Sequence, residues 1–257
     1  MGAVYHGLCP GLIDDRRRGP GLDAAGHDGY GRALMKPWRT IATAPTDDRE
    51  EEGDLELRQR GEDEFLITVG GRVLMNSTVR SSEEALSTLA AAELAGRPTP
   101  RVLVGGLGMG FTLRAALDAF PPGARITVAE LNPIVVEWCR GPLAAATRNA
   151  VGDPRVRVAI GDVARVIADA PKASFDAILL DLYEGPNTAY QGRDSPFYGP
   201  AALARTKAAL APGGVLGVWS EDADAPFVKR FSAAGFAVTT HRVGRGGRKH
   251  VVYLGRR

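Results

Sequence analysis

The sequence predicts an α/β protein: a doubly wound, mainly parallel seven-stranded sheet with a terminal antiparallel hairpin, preceded by a small N-terminal β-sheet. Three observations carry this. Apolar, strand-like runs alternate with helix-like stretches from Val102 onward. The first run, Val102-Leu103-Val104, passes into the glycine-rich turn Gly105-Gly106-Leu107-Gly108-Met109-Gly110 and then into a helix pattern. Near the end, two strand-like runs flank Gly244-Arg245-Gly246-Gly247, as in a hairpin.

Taken in order, residues 1–34 are rich in Gly, Arg and Asp and show no sustained period of 2 or 3.6. They are expected to be a disordered extension, with Met35 a candidate natural start. Residues 35–80 are expected to form the small β-region, because Leu55-Glu56-Leu57-Arg58 and Phe65-Leu66-Ile67-Thr68-Val69 are separated by turn signals and followed by Gly70-Gly71. The acidic run 47–52 between them and the start reads as a solvated loop. Residues 81–257 form the main domain. Ser81 and Glu84 have the spacing of a capping box ahead of an Ala-rich helix, and Gly96 is placed to stop it. Strands are expected at 102–104, 126–129, 156–159, 177–180 and 215–219, with helices at 111–120, 133–140, 163–168 and 200–210 between them. The terminal hairpin strands are expected at 236–240 and 250–254.

Composition excludes several classes of function. Hydrophobic residues at 44% and charged residues at 24% suit a globular core. A net charge of +2 gives no field for nucleic acid or acidic lipid. No apolar run reaches the roughly 18 residues of a membrane span. Cys9 and Cys139 stand far apart, which rules out a disulfide framework and a Cys-based zinc site and fits a reducing, cytoplasmic setting. The four histidines form no ligand-spaced pair, so no metal site is expected. The basic end, with Arg242, Arg245, Arg248, Lys249, Arg256 and Arg257, lacks interleaved aromatics and reads as solvated surface.

The glycine turn is the strongest chemical signal. Gly106, Gly108 and Gly110 let the backbone approach a ligand closely. A dinucleotide fingerprint fails because Phe111 stands where its third glycine belongs, and no Gly-Lys-Ser/Thr follows for a phosphate-binding loop. Glu130, twenty residues past Gly110, ends the second strand, where a carboxylate can accept hydrogen bonds from ribose hydroxyls. Asp162 follows the third strand and can face an adenine amino group, cap the next helix, or do both. Asp181 ends the fourth strand, at the point where ligands bind in open α/β sheets. With Glu184 it can bind a cationic amine or take its proton. Ser195 lacks the surroundings of a nucleophile and reads as loop.

The segments VLVGGLGMGFTLR, ITVAELNPIVVEWCR, DPRVRVAIGDV, FDAILLDLYEGPN and LAPGGVLGVWS resemble, in order and spacing, the spermidine synthase (polyamine aminopropyltransferase) superfamily, including its methyltransferase-like members. The resemblance implies a Rossmann-like methyltransferase fold, a homodimer, and a nucleoside-bearing donor. It gives Glu130 the ribose-binding place, Asp162 the adenine-binding place and Asp181 the catalytic place. Three departures bear on the reaction. Met109 stands where aminopropyltransferases carry an Asp that binds the decarboxylated donor, Ser82 stands where they carry a Tyr, and their Asp-x-x-Asp reads Asp181-Leu182-Tyr183-Glu184. A Met cannot accept hydrogen bonds from an ammonium group as a carboxylate does. The expectation is therefore methyl transfer from intact S-adenosylmethionine to a small amine-type acceptor. Its rivals are aminopropyl transfer from decarboxylated S-adenosylmethionine and non-catalytic nucleoside binding.

Overall fold

A computed structural model describes residues 36–46, 53–183, 185–187, 194–244 and 249–257. The expected extension 1–34, the acidic loop 47–52, Glu184 and the hairpin-turn residues 245–248 lie outside the described residues.

The N-terminal sheet is antiparallel, in the order β1 (Arg39–Ala44), β2 (Leu55–Arg60), β3 (Glu64–Val69) and β4 (Arg72–Asn76). Leu55, Leu57, Phe65, Ile67 and Val69 are buried and join the main core. Gly70 and Gly71 connect β3 to β4 with φ of 51° and 80°, the left-handed pair that a two-residue hairpin turn requires. Sequence pattern found only the middle two strands. β1 is largely exposed and β4 exposed to half-buried, so neither shows the apolar alternation that marks a half-buried strand.

Next comes α1 (Ser81–Glu93), which packs on the main sheet through Leu86 and Ala90. The expected capping box is not formed. Arg80 holds the N-cap position without a side-chain cap, and Ser81 is already in the first helical turn. Glu84 reaches back to Arg80 at 3.4 Å, while the Ser82 hydroxyl donates to Glu83 Oε2 at 2.6 Å. The helix ends three residues before Gly96, which turns the chain with φ of 93°.

The main sheet has the order β10-β11-β9-β8-β5-β6-β7. Its strands are β5 (Arg101–Gly105), β6 (Arg125–Glu130), β7 (Val156–Ile160), β8 (Phe175–Leu180), β9 (Leu210–Ser220), β10 (Ala237–Val243) and β11 (His250–Arg256). β5 to β9 pair in parallel, and β11 and β10 complete the sheet as an antiparallel hairpin. At the sheet centre both faces are buried, which is why Val102-Leu103-Val104 of β5 and Ala177–Leu180 of β8 read as unbroken apolar runs, whereas the edge strand β7 is half-exposed and carries Arg157. Val102, Val104, Val128, Leu179 and Val215 face the core shared with α1, α2 (Phe111–Ala119) and α3 (Pro133–Arg140). Leu103, Ala129, Ile178, Leu180 and Val218 face the core shared with α4 (Val163–Asp169), α5 (Pro200–Ala209) and α6 (Ala225–Ala233). From β5 the chain winds one way to β6 and β7, then returns to place β8 on the other side of β5. A crevice opens where the connections diverge. Among the described residues no helix is long and apolar enough to cross a membrane, and no cluster of metal-ligating side chains occurs.

At the opposite end of the strands Asp176 is buried and gathers its partners. It accepts from the Arg101 backbone N–H at 2.8 Å and from Arg101 Nε at 3.1 Å, and it pairs with Arg97. Burial alone would raise its pKa. The Arg101 hydrogen bonds and the two guanidinium charges outweigh that and hold the carboxyl below the ordinary range. Asp176→Ala leaves these donors without their acceptor and is expected to cost about 3 kcal/mol in urea unfolding at pH 7. Because the folded pKa is depressed, this contribution is present at neutral pH and fades as pH falls below about 4, where the carboxyl takes up its proton. A variant with unchanged stability at pH 7 would refute the account.

Candidate active site

The crevice lies at the carboxyl ends of β5 and β8. There the Asp181 N–H donates to the Gly105 carbonyl at 2.9 Å, and the Gly106 N–H donates to the Ala129 carbonyl at 2.9 Å. The glycine turn is thereby fastened to strands on both sides. Gly106, Gly108 and Gly110 all have positive φ, of 88°, 50° and 86°. At Gly106 the strain is joined by lack of room, since a Cβ would collide with the Asp181 carbonyl. Met75 of β4 fills the space a side chain on Gly108 would need, so the N-terminal sheet closes over the turn. Gly110 caps α2.

Glu130 is buried at the end of β6, and its carboxylate is already engaged. Oε2 accepts from the Leu107 N–H at 2.9 Å and Oε1 from the Asn132 N–H at 2.9 Å. Each oxygen keeps a second lone pair for a ligand hydroxyl. The Glu130 carbonyl accepts from the Gly161 N–H at 2.8 Å, which sets the adjoining Asp162 one strand further out. Asp162 caps α4 by accepting from the Ala164 N–H at 2.8 Å through one oxygen. Leu131 and Ile160, at the ends of β6 and β7, are 59% and 54% exposed. Apolar side chains beside two acids suit the flat face of a nucleoside base.

Asp181 faces the α1 and α2 side of the sheet. Its Oδ2 accepts from the Thr112 hydroxyl at 2.5 Å. Burial and then the negative charge of Glu83 push its carboxyl up to about 7, against a smaller opposing effect of the Thr112 bond. Among the described residues neither Asp181 nor Glu83 has a Lys, Arg or His in ion-pairing contact. Met109 is completely buried in the core, so its side chain does not line the crevice. Cys139, whose thiol donates to the Gly108 carbonyl at 3.3 Å, is pushed up to about 12 by burial and by Glu130, which makes it a prop for the turn rather than a nucleophile.

The fold thus brings Gly106, Gly108, Gly110, Glu130 and Asp181 together, with Asp162 beside Glu130; Glu184 lies outside the described residues. Ser195 caps its own loop, accepting from the Phe197 and Tyr198 N–H groups. Sequence reasoning passed over Glu83 and Thr112. Thr112 has no local pattern beyond its place after the glycine turn. Glu83 was hidden because the capping-box spacing drew attention to Glu84.

No protein-family model matches the chain. It is 32% identical over 203 residues to the polyamine aminopropyltransferase of Mycobacterium tuberculosis, a match covering 74% of this chain and 36% of that protein. It is 35% identical over 122 residues to putrescine N-methyltransferase 1 of Nicotiana tabacum, covering 46% of this chain and 30% of that protein. The chain therefore spans about a third of the length of these curated relatives. The spermidine synthase of Thermotoga maritima superposes with a TM-score of 0.67 at 18% identity, over 85% of this chain and 72% of that one, a likeness of fold. With this sheet order, the glycine turn and its flanking acids in place, and sequence relatives of both reaction types, the chain belongs to the spermidine synthase superfamily.

Proposed function

We propose that the chain transfers a small carbon group from a donor of the S-adenosylmethionine class to an amine, and that the group is methyl. The observation that carries the reading is the Asp181 carboxyl, set at the mouth of the crevice and pushed up to about 7. A carboxyl that titrates near neutrality is suited to take a proton from an amine at physiological pH. Glu130 and Asp162, with lone pairs to spare, would hold the ribose hydroxyls and the adenine amino group, and Leu131 and Ile160 would flank the base. When bound, such a donor supplies an electrophilic carbon on positively charged sulfur, which leaves as an uncharged sulfide. Asp181 receives the proton from nitrogen as the nitrogen lone pair takes over that carbon, and Thr112 fixes the carboxyl for the exchange. Much of the rate then comes from holding nitrogen and carbon in line. Glu184 is assigned to acceptor affinity.

Methyl is favoured over aminopropyl because the residue at the donor-amine place, Met109, is apolar and turned into the core. Aminopropyl transfer is the second reading, supported by the longer match to an aminopropyltransferase than to a methyltransferase. Calorimetric titration separates them. S-adenosylmethionine or S-adenosylhomocysteine is expected to bind more tightly than the decarboxylated donor, and the reverse order, with spermidine formed from putrescine, would promote the second reading. Glu130→Ala is expected to weaken nucleoside binding at least about tenfold, given 1.5–3 kcal/mol for hydrogen bonds to a charged group. Unchanged binding in the folded variant would remove Glu130 from the site.

The protonation of Asp181 has a definite sign. The ionised form is the base, so kcat/KM should rise about tenfold per pH unit below about 7 and level off above it. Asp181→Asn should lose about 100-fold or more and with it this pH dependence. Stability should move the other way. A carboxyl whose folded pKa lies above its unfolded value destabilises the fold once ionised, so the parent loses stability as pH rises from about 4 to about 7. Asp181→Asn is expected to exceed the parent by about 1–3 kcal/mol at pH 8, several degrees in Tm, and to match it near pH 4. An active variant would return Asp181 to a loop-holding role.

A further inference from the structure

The N-terminal sheet reaches the glycine turn through one side chain. Strict alternation along β4 would send Leu74 and Met75 to opposite faces, yet both pack against the main core. The pairing with β3 explains this. Met75 stands opposite Ile67 and Val73 opposite Thr68, so Leu74 is an extra residue and β4 is bulged there. A bulge re-aims the side chain beside it. Here it leaves Met75 against Gly108, where a Cβ would collide with the Met75 Sδ. The strand is pinned just beyond. Ser77 donates its N–H to the Phe65 carbonyl at 3.0 Å, its hydroxyl accepts from the Phe65 N–H at 2.9 Å, and Asn76 Oδ1 accepts from the Thr78 N–H at 2.9 Å. Gly108 is also held through its carbonyl, which accepts from the Cys139 thiol of α3 at 3.3 Å. Two sulfurs, one from β4 and one from α3, thus fix this glycine. Met75 is only half-buried, so part of its side chain stays accessible.

The place matters because of what a sulfonium donor must fit. Its sulfur carries three carbon substituents. With the nucleoside at Glu130, ending β6, and the transferred carbon offered to Asp181, at the end of β8, the sulfur belongs over the glycine turn of β5, which lies between those strands. The third substituent then has the turn as its floor and Met75 beside it. In the intact donor that tail ends in an ammonium and a carboxylate, with no net charge. In the decarboxylated donor it ends in an ammonium alone. A thioether is a weak acceptor, and setting an uncompensated charge against it is costly. The N-terminus of α2, capped by Gly110, favours a carboxylate and disfavours a lone cation.

We propose that Met75 is a donor-specificity residue: it covers the tail of the sulfonium donor, admitting one without net charge and turning away one that ends in a bare ammonium. The assignment rests on the donor class proposed above and adds to the site a residue from the N-terminal sheet.

The test titrates the full chain calorimetrically with S-adenosylmethionine, its decarboxylated form and methylthioadenosine, which has no such tail. Met75→Glu is expected to shift the ratio of the two donor dissociation constants at least about tenfold toward the decarboxylated form, and Met75→Lys to shift it the opposite way. Either charged variant carries the test if the other fails to fold. Methylthioadenosine affinity should stay within about twofold in both. Met75→Leu, apolar and similar in volume, should keep the parental ratio. A mere prop for the turn would lower all three affinities together and give the two charges no opposite effect, so parallel losses would overturn the assignment. Three unchanged affinities would overturn it as well, and either result leaves the donor reading standing. A parent that binds none of the three would sink the donor reading itself, and this assignment with it.

Discussion

The hydrogen bond from the Asp181 N–H to the Gly105 carbonyl is the last rung between β5 and β8, and the crevice depends on it. Below it the two strands are adjacent and parallel. Above it the chain leaves β5 through the glycine turn and leaves β8 through the loop that begins with Leu182. The same rung puts the Asp181 carbonyl against Gly106 so closely that no side chain fits there. Glycine at that position is therefore a condition of the acid's placement as much as of ligand approach.

Glu130 plays the matching part on the other side of β5. By accepting from Leu107 it holds the turn open, and by accepting from Asn132 it sets the start of α3. Its loss would affect the shape of the turn as well as any contact with ribose, and binding data on Glu130 variants need stability data beside them. Asp162 likewise serves the fold, capping α4 through one oxygen, and that bond does not occupy the other.

Most of this was legible in the sequence, for identifiable reasons. The central strands of the parallel sheet are apolar where both faces are covered, the edge strand β7 keeps an apolar majority, and the acids stand out as the carboxylates that close these runs: Glu130, Asp162 and Asp181. What escaped was set by contacts distant in sequence. The outer strands of the N-terminal sheet carry little apolar pattern, since no residue of either is fully buried. Ser81 and Glu84 matched a capping motif whose geometry requires Ser81 outside the helix, and the helix begins one residue too early for it. Thr112 and Glu83 gain their meaning only when α1 and α2 are laid side by side over the end of β8, which no local pattern encodes.

That arrangement of α1 has a consequence for how the chain reaches its native state. Leu86 packs against Gly217 and lies beside Leu254, residues synthesised roughly 130 and more positions later. Contacts of such long range slow folding, because a large loop must close before burial rewards it. Until β9 and β11 arrive, the apolar stripe of α1 and the open edges of the half-built sheet stay bare, a state prone to aggregation. The C-terminal hairpin thus acts as the fastener of the whole domain, and even a short truncation there should show first as poor yield rather than as altered kinetics.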